Sequence, residues 1–198
     1  MNKHMKRACI LLLAGLLLVC VALGIHLWQL RQETMAGQTA ALLLQQLELN
    51  RLPMPETEEK PDSAPADTQL PEKQYMGYTL IGSITVPSVG IQLPVLNDWS
   101  DQMLKVAPCR YQGSISGGNM IVMGHNYKTH FAPLRKVTVG AEVVFCNTAG
   151  REFRYKVAAI ETMHRNEGYR LASEYPLTIF TCTPGGINRF VVRCELVQ

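Results

Sequence analysis

The hydrophobic pattern divides the chain into three unlike stretches. From Ala8 to Trp28 there is no charged residue, and His26 is the one clearly polar side chain. A run of about 20 apolar residues is long enough to cross a hydrocarbon core as a helix. Secretory signal peptides carry apolar regions of only about 7–15 residues, followed by small residues at a cleavage site. Here the run is longer and closes on bulky His26, Leu27, Trp28 and Gln29. The pattern therefore predicts an uncleaved signal-anchor over residues 8–28. Lys3, Lys6 and Arg7 stand before it, which keeps residues 1–7 in the cytoplasm and sends the rest outside the cell. Gln29 to Arg51 stays helical in character, with Leu42, Leu43, Leu44 and Leu47 as an apolar face and no proline. A plain helical spacer is its simplest reading. Leu52 to Lys73 then sets Pro53, Pro55, Pro61, Pro65 and Pro71 among Glu56, Glu58, Glu59, Asp62, Asp67 and Glu72. Such a segment buries no core and predicts an extended stalk. Spacer and stalk together make residues 29–74.

From Tyr75 the pattern turns to β-structure. Leu80–Val86 and Ile91–Leu96 are β-branched runs around a turn at Pro87–Gly90. Asp98 to Val106 predicts a short helix, with Trp99, Met103 and Leu104 facing inward. Ala107 to Gly118, with its glycines and serines, predicts a loop. Asn119–Met123 is a strand ending at Gly124-His-Asn126, and Phe131 to Val137 a second short helix. Strands Ala141–Asn147 and Glu152–Met163 flank a hairpin at Ala149-Gly150. A polar loop from His164 to Tyr175 leads to the closing strands, Leu177–Thr181 and Asn188–Val197. Many short strands with turn signals and few helices predict a mainly β fold over residues 75–198, a closed β-barrel with short helices.

The formal net charge of the 198 residues, +3, is too mild to suggest nucleic acid as a partner. Cysteine adds more. Cys9 and Cys20 fall in the span, and Cys109, Cys146, Cys182 and Cys194 in the exported part. An even number outside the cell invites a disulfide, but the spacing follows no framework. Cys146 and Cys194 lie in strands as small apolar residues. Cys182 differs, because it ends a strand just before Pro184-Gly-Gly186, a turn that leads straight to Arg189. A thiol beside a guanidinium is a candidate nucleophile, since positive charge favours the thiolate. The same guanidinium is placed to hold a developing oxyanion. Arg193 is the competitor. It shares a strand face with Arg189, but Arg189 is nearer the turn. His125 also ends a strand, so one end of a barrel can gather His125, Cys182 and Arg189. No CxxC, HExxH or ligand cluster is present, so no metal site is expected.

Three motifs together, Leu177-Thr-Ile-Phe-Thr181-Cys182, Gly124-His125-Asn126 and the strand-borne Arg189, resemble the sortases. These are membrane-anchored cysteine transpeptidases of mainly Gram-positive bacteria. The likeness covers roughly residues 78–198, and the Gly-His-Asn motif is similar to that of class B-like members. It implies a sortase barrel in which Cys182 attacks the carbonyl after Thr in a Leu-Pro-x-Thr-Gly-like sorting signal of a secreted protein. His125 would act as acid and then base, Arg189 would hold the oxyanion, and Thr181 would help bind substrate. An amine from a cell-wall cross-bridge precursor or a pilin lysine would resolve the thioester, with no cofactor. The residues also admit three rivals: a hydrolytic cysteine peptidase, a non-catalytic exported β-module with Cys182 buried, and a redox protein pairing Cys182 with Cys194.

Overall fold

The computed structural model describes residues 3–49 and 72–197. The stretch expected to be a stalk lies almost wholly outside them. One helix, α1 (Lys3–Leu49), occupies the first segment. The apolar run and the leucine-rich run after it thus share one axis, about 70 Å long at 1.5 Å per residue. The second segment carries nine strands: β1 (Lys73–Tyr75), β2 (Tyr78–Val86), β3 (Ile91–Leu96), β4 (Cys109–Gln112), β5 (Met120–Gly124), β6 (Glu142–Asn147), β7 (Glu152–His164), β8 (Leu177–Cys182) and β9 (Asn188–Leu196). A short helix, α2 (Asp101–Leu104), and 3₁₀ turns at Pro87–Val89, Ala132–Lys136 and Arg165–Leu171 connect them.

The strands hydrogen-bond in the order β1-β2-β3-β4-β5-β8-β9-β7-β6, and β2 also pairs with β6. That pairing closes β2 to β9 into an eight-stranded barrel, with β1 added as a hairpin arm. Eight strands enclose a space that side chains alone can fill. Ile84, Val86, Val95, Met120, Val122, Phe131, Phe145, Ile179 and Val192 fill it. Most neighbours are antiparallel, but β5 and β8 run parallel, from Met120↔Leu177 to Gly124↔Thr181.

The expected fold class holds, with local differences. The segment Ala107–Gly118, expected as a loop, contains β4, whose Cys109, Arg110 and Gln112 pair with β5 across a bulge. Arg110 and Gln112 carry no strand propensity, so the ladder that closes the barrel decides the matter there, as tertiary pairing commonly overrides β-propensity. The helix expected over residues 98–106 shrinks to α2, because Ser100 caps it by accepting the Met103 amide at 3.1 Å. Leu104 turns inward as expected, whereas Trp99 stays exposed.

α1 is two helices in one. Its upstream part exposes Leu11 to Trp28 throughout, and it is long and apolar enough to cross a membrane. Its downstream part docks on the barrel through Ala36, Ala40, Leu43 and Leu47, none more than 4% exposed. Leu42, expected on the apolar face, is exposed. The two alanines set the true stripe, with the 4-3-4 spacing of a packed helix face.

Candidate active site

The geometry of the site follows from strand register. β5 and β8 are parallel neighbours with Gly124 opposite Thr181. The next residue on each is His125 and Cys182, side by side at the strand ends, where neighbouring backbones lie about 4.8 Å apart. On the other side of β8, Cys182 is the direct partner of Arg189 on β9. Directly opposed residues project from the same sheet face. Three of the four residues expected to act thus line one groove of about 340 Å³, together with Trp99, Asp101, Leu104, Tyr111, Met123, Arg165, Gly168, Leu171 and Phe180.

Each side chain is held by identifiable neighbours. Gly124 must be glycine, because a Cβ there would lie 2.3 Å from the Phe131 ring. His125 stacks flat on Tyr127, with ring centroids 4.1 Å apart and planes within 5°. Burial lowers the His125 pKa below the ordinary imidazole value, and Lys105 lowers it further against the pull of Asp101 and Glu33. The imidazole is therefore neutral at pH 7 and free to accept a proton. Cys182 is half-buried. Arg189 donates from Nη1 to the carbonyls of Gly186 at 3.1 Å and Asn188 at 3.4 Å. These bonds tie it to the tight turn that Gly185 and Gly186 make with positive φ. Its remaining donors have no protein hydrogen-bond partner among the described residues and can serve a substrate carbonyl.

Thr181, expected to help bind substrate, is fully buried, and its Oγ1 has no hydrogen-bond partner. It supports the strand end that carries Cys182 and does not line the groove. The redox pairing fails on register: Cys194 lies opposite Leu177, five positions from Cys182. That is roughly 16 Å along the strand, beyond disulfide reach. Cys109 and Cys194 are buried thiols, each pushed by burial up to about 12. The half-exposed Cys182, facing an imidazole and a guanidinium, speaks against the inert module with a buried thiol.

Two walls bound the groove. One is aromatic: Tyr111 stacks edge-on to Phe180 and tilts against Trp99, each at 5.5 Å. The other is the 3₁₀ segment Arg165–Leu171, a helical turn within the stretch expected as a polar loop, residues 164–175. His164 and Glu167 close its first turn as a capping box. The Arg165 amide bonds the Ile187 carbonyl at 3.0 Å, joining it to the Cys182–Arg189 turn. Sequence reasoning missed Tyr127, Asp101 and Arg165. The only signal for Tyr127 was its place two residues after His125, a separation at which two rings on an irregular chain can stack.

The family model of the sortase domain matches residues 84–197, more than half of the chain. No curated protein matches. Solved structures give the same fold. Sortase A from Corynebacterium diphtheriae aligns at 24% identity over 61% of this chain and 62% of that one, with a TM-score of 0.56. Listeria monocytogenes sortase A aligns at 24% identity, 60% and 88% coverage, and 0.55. Clostridium perfringens sortase C, solved with a C-terminal cell wall sorting motif, aligns at 23%, 60% and 71%, and 0.54. The chain thus spans about three-fifths of the Corynebacterium structure's length.

Proposed function

The chain belongs to the sortase family, and we propose that it is a membrane-anchored cysteine transpeptidase in which Cys182, His125 and Arg189 carry the reaction. The observation that carries this is the register: two strand pairings put the imidazole and the guanidinium on either side of one half-exposed thiol. As the Cys182 sulfur attacks the carbonyl after Thr in a Leu-Pro-x-Thr-Gly-like signal, neutral His125 takes the thiol proton. Arg189 donates to the carbonyl oxygen as it gains charge. The tetrahedral intermediate collapses, the C–N bond breaks, and His125 returns the proton to the leaving amine. The thioester then meets an incoming amine. His125 removes a proton from it, a new amide forms, and the thiol is restored. Thr181 acts on substrate through the strand end it packs beneath.

The acceptor amine would be a cell-wall cross-bridge precursor or a pilin lysine. Residues 8–28 would hold the enzyme in the cell membrane, with residues 1–7 in the cytoplasm and the barrel outside. The similar sortase C bound to a sorting motif supports a peptide of that class here. Hydrolysis uses the same thioester, so products separate the two. The test incubates the detergent-solubilised full chain with sorting-signal peptides, with and without an amine, and follows the mass of the protein and the products. An acyl adduct on Cys182, absent in Cys182→Ala, and an amide product that needs the amine are expected. Release of free acid alone in the presence of amine would replace transfer by hydrolysis. No adduct with any peptide would remove the reading.

A further inference from the structure

The helix that is long and apolar enough to cross a membrane also docks beside the candidate active site. α1 is continuous from Lys3 to Leu49, and it meets the barrel at two places. At the first, the Glu33 carbonyl accepts a hydrogen bond from Thr129 Oγ1 at 3.2 Å. One turn on, Gly37 approaches so closely that a Cβ would lie 2.8 Å from Thr129 Cγ2. Thr129 is four residues beyond His125 in the same connection, and the Glu33 charge acts on both His125 and Tyr127. At the second, Leu43 and Leu47 bury against Leu80, Leu96, Leu104 and Ala107. Beside them Gln92 Nε2 donates to Glu48 Oε1 at 2.8 Å. Glu33 and Glu48 are separated by about 22 Å of helix, so the two contacts fix the angle of α1 as well as its position.

The point where the helix first touches the barrel is thus the catalytic end. Trp28 closes the apolar run, and Glu33 follows five residues later, about 7.5 Å along the axis. Leu47 buries in the barrel's second cluster and Lys73 pairs with Leu80 of β2, so the chain meets the same barrel on either side of residues 50–71.

We propose that α1 is a ruler. By passing unbroken from the membrane into the barrel, it holds the Cys182–His125 groove at a fixed height of roughly 10 Å above the outer membrane surface. The groove then prefers membrane-retained chains whose scissile bond lies about three extended residues outside their own anchor, at about 3.3–3.6 Å per residue. This rests on the transpeptidase reading of the groove and on α1 spanning the membrane.

The test uses the full chain in lipid vesicles. Seven helix-forming residues inserted between Gln29 and Leu30 lengthen α1 by about 10 Å while turning it through nearly two whole turns, so the docked face keeps its direction and none of its contacts is touched. Two substrates carry one motif: a soluble peptide, and the same peptide followed closely by an apolar transmembrane helix. The insertion is expected to slow the anchored substrate at least tenfold and to leave the soluble one within twofold. Three extra residues between motif and anchor should restore most of the loss. An anchored-substrate rate that ignores the insertion, or a loss shared equally by both substrates, would overturn the ruler. Absence of turnover of the soluble peptide by the unmodified chain would refute the transpeptidase reading instead. The ruler is then still tested by energy transfer from a dye at position 128, on the exposed Lys128 site, to acceptor lipids. The distance should grow by about 10 Å on insertion, and an unchanged distance would sink it.

Discussion

Arg189 and Arg193 stand four residues apart on β9, project from one face, and do opposite things. The Arg193 side chain is 4% exposed. Its Nε donates to Glu161 at 2.7 Å. Nη1 donates to the Leu171 carbonyl at 2.6 Å, Ser173 Oγ at 3.0 Å and Thr178 Oγ1 at 3.1 Å, and Nη2 bonds the Arg170 carbonyl. Three of these partners belong to the connection from β7 to β8, so Arg193 fastens one wall of the groove to the barrel. Arg189 makes only the two carbonyl bonds of its own turn. A buried guanidinium whose every nitrogen is bonded inside the protein can order a structure but has little left for a substrate. One held at its edge by a turn can turn its other donors outward. Partner count, more than nearness in sequence, separates the structural arginine from the one proposed to act on substrate.

Substituting each in turn should split activity from stability. Arg189→Met is expected to lower kcat/KM by about 10²–10³-fold, the usual cost of removing one oxyanion donor, with the melting temperature little changed. Arg193→Met should do the reverse. It removes the donor to Glu161 Oε1 and to the Arg170 and Leu171 carbonyls, leaving Glu161 only its Arg170 partner, which costs about 2–4 kcal/mol and lowers the melting temperature by roughly 10 °C. Its residual catalytic defect should fall on KM, because the wall formed by Arg165, Gly168 and Leu171 loosens while Cys182, His125 and Arg189 stay in place. Peptide kinetics and thermal melts on both variants check this. Equal loss of kcat in the two variants would erase the distinction.

His130 extends the comparison to a buried base whose ring nitrogens have no close hydrogen-bond partner among the described residues. It is 1% exposed, and neither ring nitrogen has a hydrogen-bond partner, although the backbones of Ala36 and Val106 lie near. Where Arg193 is held by five hydrogen bonds, His130 gives its charge up: burial first, then the proximity of His125, lowers its pKa from 6.5 to about 4. Above pH 6.5 neither folded nor unfolded chain protonates this ring, and it contributes nothing to pH dependence. As pH falls from 6.5 the unfolded chain gains a proton that the folded one refuses until about pH 4. Stability is therefore lost across that window and levels off below it. The gap corresponds to on the order of 3 kcal/mol. Denaturant midpoints between pH 7 and 4 should fall less steeply in His130→Leu than in the parent, and parallel curves would show that another group titrates.

The barrel was legible because its strands are apolar and punctuated by Pro87, Gly140, Gly150 and the Pro184–Gly186 turn. Those signals act locally. β4 was not, since Arg110 and Gln112 join the sheet only because β3 and β5 need a neighbour to close the ring. His125, Cys182 and Arg189 could be picked out because each marks a strand end, and strand ends are where a barrel exposes side chains. The docking of α1 was hidden for a different reason. Leucine counting points to Leu42, Leu43, Leu44 and Leu47, of which Leu43 and Leu47 do bury, but the contact nearest the groove uses Gly37, whose value is its small size against Thr129. Close approach by small residues depends on the surface opposite, which no pattern within the helix reveals. Likewise Arg193 could be set below Arg189 by position, but its five partners come from three separate parts of the chain.

The smallest effect should come from Tyr127, which stands between the two kinds of group: it is neither a donor to substrate nor part of the core. Its ring lies flat on His125, fixing the imidazole plane and keeping water from one face of it. Stacked rings of this kind contribute about 0.5–1.5 kcal/mol, so Tyr127→Ala is expected to reduce kcat about three- to tenfold with KM little changed, and Tyr127→Phe to stay within twofold. The pH profile gives the sharper reading. Burial is the main cause of the lowered His125 pKa, and removing the ring admits water, so the pKa should move back up toward its ordinary value. In the proposed reaction neutral His125 accepts the Cys182 proton. The acid limb of kcat/KM should accordingly shift to higher pH in Tyr127→Ala and stay in place in Tyr127→Phe. A merely structural role for Tyr127 would lower the whole profile without moving its limb, and a limb that moved to lower pH would mean that the ring had been holding His125 toward its charged form.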